Sequence, residues 1–87
     1  MPYIPKENRE ALEPEIVLLA AKLVGGGCNA GELNYIIFRL CNTVFDSNPS
    51  YSRGNTVMGV LECAKAEFYR RKLAPYEDKK IIENGDI

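Results

Sequence analysis

The sequence predicts an all-α fold: a small three-helix bundle with a short fourth C-terminal helix, completed by self-association into a homo-oligomer. Three observations predict it. Apolar residues recur at helical spacing in three separate segments, no segment alternates apolar and polar residues as a half-buried strand does, and prolines, glycines and capping residues stand where helices would begin and end. With 87 residues the chain reads as a single helical domain, because domains of roughly 100–150 residues are typical. A domain of this length removes only about 60–65% of its unfolded surface from water, so it needs support from disulfides, a metal or a second subunit.

The first helix is expected at 14–24, opened by Pro14, since proline is tolerated at the first helical position and disfavours helix in the residue before it. Ile16, Leu19, Ala20 and Leu23 repeat along it, Glu13 and Glu15 sit where the helix dipole favours negative charge, and Gly25, Gly26 and Gly27 stop it. Lys6 to Leu12 adds at most a separate turn on the far side of Pro14. The second helix, 30–45, has the strongest start signal: Asn29 as cap, with Glu32 three residues later in capping-box position. Leu33, Ile36, Ile37, Leu40, Cys41 and Val44 make its apolar stripe, leaving Tyr35, Arg39 and Asn42 outside it.

Asp46 to Asn55 (DSNPSYSRGN) reads as a loop of turn formers. The third helix, 54–74, carries Val57, Val60, Leu61, Ala64 and Phe68 on one face and sets Glu67 four residues before Arg71. Pro75 is expected to end it and to open the last helix, 76–83, which Asn84 and Gly85 close. Three short stripes must share a thin core, and Met58, Tyr69, Leu73, Ile81 and Ile82 lie beyond it; a subunit interface would absorb them.

Composition narrows the chemistry. The chain has no histidine, which excludes Cys–His and Ser–His–Asp catalysis and the mixed histidine zinc sites. Cys28, Cys41 and Cys63 are odd in number, widely spaced and one short of an all-cysteine zinc site, as expected of a reducing, cytoplasmic setting without disulfides or metal. Cys28, in a glycine-rich loop beside a helix start, reads as a loop cysteine with no assigned task. Met1 to Lys6 has no apolar leader region and no segment has the roughly 18 apolar residues of a membrane span. A formal charge of −1 gives no global pull toward duplex nucleic acid or anionic lipid.

An enzyme reading has one form here, a metal-dependent nucleotide hydrolase drawing on Glu10, Glu13, Glu32, Glu62 and Glu67. Pro14 interrupts the Glu10–Glu13 pair, and Glu32 and Glu67 have structural roles as cap and ion-pair partner. Gly25 to Gly27 lacks the Lys–Ser/Thr of a phosphate-binding loop. The densest local chemistry is Phe68-Tyr69-Arg70-Arg71-Lys72, followed after Pro75 by Tyr76-Glu77-Asp78-Lys79-Lys80. Aromatics interleaved with arginines suit phosphates and bases, while basic residues in a last helical turn also complement the dipole and can pair with Glu77 and Asp78.

The segments AGELNY (Ala30 to Tyr35) and LECAKAEFYRRKLAPYEDKKIIENGD (Leu61 to Asp86), with the opening MPYIP, resemble a small uncharacterised family of prokaryotic and bacteriophage genomes. The resemblance implies a setting and no chemistry. Two functional expectations come from the residues. The first is a non-enzymatic binding or assembly module, a homo-oligomer without cofactor that acts through protein contacts, with Tyr35, Arg39, Tyr69 and Arg70 among its contact residues. The second is a sponge that binds a nucleotide or cyclic oligonucleotide between subunits, with Tyr69 stacked on a base, Arg70, Arg71 and Lys72 on the phosphates, and Tyr76 among the binding residues.

Overall fold

The structure is a computed structural model that describes residues 3–87; Met1 and Pro2, which open the MPYIP segment, lie outside the described residues. The described residues are helical with no strand among them: α1 (Lys6–Gly25), α2 (Ala30–Asp46), α3 (Tyr51–Phe68), a π-helical turn (Tyr69–Leu73) and α4 (Ala74–Asn84). They fall into two compact units, residues 3–49 with α1 and α2, and residues 50–87 with the rest.

α1 begins eight residues earlier than the proline rule predicts, and Pro14 lies inside it. The carbonyl of Pro5 starts the helix by accepting from the N–H groups of Asn8 (3.0 Å) and Arg9 (3.1 Å). Lys6 to Leu12 is rich in strong helix formers, and Lys6 pairs with Glu10 one turn on at 3.9 Å. Helix propensity on both sides of Pro14 thus favours one continuous helix, and Pro14 removes one backbone hydrogen bond without ending it. At the other end the N–H groups of Gly26, Gly27 and Cys28 turn back to Lys22, Val24 and Leu23, at 3.0–3.1 Å. That reversal holds Gly27 at φ 94° and Cys28 at φ 52°, the left-handed region where glycine is at home and cysteine is strained.

α2 ends one residue beyond its expected span and has the cap read from its sequence. Asn29 Oδ1 accepts from the Glu32 N–H at 2.8 Å, and Asn29 Nδ2 donates to Glu32 Oε1 at 2.8 Å. The box is thus closed side chain to side chain. α3 starts at Tyr51 instead of 54, because Ser50 is a cap that the surrounding turn formers hide: its Oγ accepts from the Arg53 N–H at 3.0 Å. Only 47–50 remains between α2 and α3.

The third and fourth helices are continuous, a correction to the expected break at Pro75. Proline cannot donate to the carbonyl four residues back, and its ring collides with that carbonyl in α geometry. The chain answers by widening the preceding turn: the Ala74 N–H reaches the Tyr69 carbonyl, five residues back, and Pro75 falls in the first turn of the resumed α-helix. Gly85, at φ 85°, then ends α4 with its N–H on the Ile81 carbonyl at 2.8 Å.

No described residue is buried; each is exposed or half-buried. The local cap on α2 is accordingly a large part of what fixes that helix in place. Asn29→Ala should lower stability by about 1 kcal/mol in urea unfolding at fixed protein concentration, with Asn29→Ser closer to the parent chain.

Candidate functional site

The residues expected to carry contacts divide between the two units. In residues 3–49, Tyr35 is exposed and lines a groove of about 480 Å³ between α1 and α2, with Leu19, Lys22 and Leu23 on one side and Glu32 and Ile36 on the other. Arg39, one turn further along α2, is exposed. It makes no hydrogen bond or ion pair with any described residue.

In residues 50–87 the Phe68 to Lys72 cluster lies on and beside the π-helical turn. Glu67 takes both guanidinium groups: Arg70 Nη2 donates to its Oε2 at 2.9 Å and Arg71 Nη1 to its Oε1 at 3.3 Å. Glu67 is half-buried and both arginines are exposed, so these are short-range helix pairs worth a few tenths of a kcal/mol each. Lys72 has no ion-pair partner among the described residues.

Tyr69 and Tyr76 are brought together, lining with Leu73, Glu77 and Ile81 a shallow groove of about 600 Å³. The Tyr69 hydroxyl donates to Glu77 Oε1 at 2.8 Å. Lys80 stands over the Tyr76 ring, 5.4 Å from its centre, and pairs with Glu83 at 3.0 Å. The Glu67–Arg71 pair is the one the spacing foretold. Glu77, expected opposite the arginines, instead holds the Tyr69 hydroxyl. Eight residues are about 80° out of register in a regular α-helix, but the extra residue of the π turn brings Tyr69 and Glu77 onto one face. No spacing rule finds that contact until the π turn is known.

Among the described residues no three His, Cys, Asp or Glu side chains gather as metal ligands, and no helix is long and apolar enough to cross a membrane. Across residues 1–87 the chain matches the family described as Domain of unknown function (DUF6899). It belongs to that family. No curated protein and no solved structure matches it. The DUF6899 match supplies no chemistry, so the geometry of the two grooves is what a function has to be argued from.

The Glu77 carboxylate, through its hydrogen bond and then its charge, favours the protonated phenol and raises the Tyr69 pKa above its ordinary value near 10. Because the folded value lies above the unfolded one, this contact stabilises the fold fully below about pH 10 and is lost as pH rises through the folded value. Glu77→Gln keeps an acceptor and removes the charge; it should lower the Tyr69 pKa toward 10, read from the ring carbon chemical shift in an alkaline NMR titration. An unchanged Tyr69 titration would show that the contact is not formed in solution.

Proposed function

We propose that this DUF6899 chain is a non-enzymatic helical assembly module that self-associates and works through protein–protein contacts. The observation that carries the reading is the exposure of its apolar side chains. Of all residues 46% are hydrophobic, yet no described residue is buried, and Phe38 and Leu40 on α2 are 60% and 61% exposed. Large apolar side chains in this number are expected to find cover in an interface, where aromatic and arginine residues supply most of the binding energy. Tyr35, Arg39, Tyr69 and Arg70 are exposed residues of those types. A prokaryotic or bacteriophage setting and a cytoplasmic location belong to the same proposal.

Glu67 favours this reading over a nucleotide sponge. The Glu67 carboxylate offsets part of the positive charge of Arg70 and Arg71 that a phosphate would seek, whereas a protein partner can pack on the Tyr69–Tyr76 groove with those pairs in place.

Size-exclusion chromatography with light scattering at micromolar concentration is the test, and a mass of two chains or more is expected. For a dimer, apparent stability should rise by about 1.4 kcal/mol per tenfold increase in protein concentration. A single-chain mass together with a melting temperature raised by a mono-, di- or cyclic nucleotide would replace assembly by ligand binding.

A further inference from the structure

α1 is apolar on more than one side. Ile16, Val17, Leu18 and Leu19 are consecutive, and at about 100° per residue they sweep most of the helix circumference. Leu12, Ile16, Leu19 and Leu23 make one stripe, and Leu19 and Leu23 line the groove against α2. Val17, Leu18, Ala21 and Val24 make a second face on the side away from that stripe. There Val17 is 55%, Leu18 74% and Val24 68% exposed. A helix apolar all round is the kind that ends up covered on every side.

The edge of this second face says what covers it. Glu15 and Lys22 lie seven residues apart and so within about 20° of each other on the same edge. Neither has an ion-pair partner among the described residues. The midpoint between them falls at Leu18 and Leu19, of which Leu18 is the one on the outward face. When two identical helices pack antiparallel about a two-fold axis, like edges meet in opposite directions. An axis at Leu18 therefore sets Lys22 of each copy beside Glu15 of the other, and Leu18 against Leu18 with Val17 and Ala21 flanking it. A parallel pair brings the Glu15–Lys22 edge against the opposite border of the face, Glu13, Ala20 and Val24, where Lys22 meets no carboxylate at its own level and Glu15 meets a like charge.

Resting on the assembly reading, the geometry points to a second copy of this chain as the occupant of the outer face of α1: the two α1 helices pack antiparallel about Leu18, fastened at each end by Lys22 of one copy and Glu15 of the other. Self-association then has an address and a direction.

Two experiments on the full chain test this. Lys22→Glu places two like-charge pairs where two attractive ones stood, and is expected to weaken the dimer about tenfold in sedimentation equilibrium; the swap Glu15→Lys with Lys22→Glu should restore it. In a chain carrying Cys28→Ser, Cys41→Ser and Cys63→Ser, Leu18→Cys should oxidise to a covalent dimer. Val24→Cys should not, because an antiparallel register about Leu18 separates the two copies of that residue by roughly 18 Å along the axis, beyond disulfide reach. If the parent chain is a dimer but the swap fails to restore affinity, or Val24→Cys cross-links as readily as Leu18→Cys, this arrangement is wrong and the assembly reading stands. A parent chain of single-chain mass overturns both. The charge swap needs none of the cysteine replacements, so loss of folding in that background leaves the first test intact.

Discussion

A helix satisfies its own backbone hydrogen bonds but cannot cover its own apolar face, and that asymmetry governs this molecule. Helix starts and stops in the described residues have local explanations at six places. Pro5, Asn29 and Ser50 begin helices, Gly27 and Gly85 end them, and Pro75 is absorbed by a widened turn. The apolar faces are left with groove-like contacts at best. α1 is the extreme case, since α2 can lie along one side of it and its apolar residues occupy the other as well.

The two interior prolines show that the same residue has different consequences in different company. Pro14 has strong helix formers before it and an apolar helical stripe after it, so the loss of one hydrogen bond is tolerated in place. Pro75 is met by a change of register, and that change reaches the side chains. It rotates α4 relative to α3, bringing Glu77 under the Tyr69 hydroxyl and Tyr76 into the groove beside Tyr69. Backbone accommodation thus decides which member of the aromatic and charged cluster finds which partner.

Features set by neighbours three or four residues away were legible in the sequence: the Asn29–Glu32 cap, the span of α2, and the Glu67–Arg71 pair. Ser50 was hidden because the residues that make a good cap are also the ones that make a loop, and DSNPSYSRGN contains both in succession. The reading of Pro14 and Pro75 as boundaries applied a rule about single residues where the flanking helix was strong enough to continue. The Tyr69–Glu77 contact lay beyond regular helical spacing, since it depends on the widened turn by which the backbone accommodates Pro75.

The unit of residues 50–87 makes the case for assembly from another direction. It is one helical run with no second helix inside the unit to pack on it. Its ion pairs, Glu62 with Lys65, Glu67 with Arg70 and Arg71, and Lys80 with Glu83, are exposed helix pairs that add a few tenths of a kcal/mol each. Helices held only by local terms are marginal in water, and in proteins most helical stability comes from packing an amphipathic face. Val57, Leu61, Phe68, Leu73 and Ile81 are the residues this run has to offer for that purpose. Its persistence as a helix therefore depends on cover from outside the unit, and the charged residues beside those apolar positions govern which surfaces can supply it.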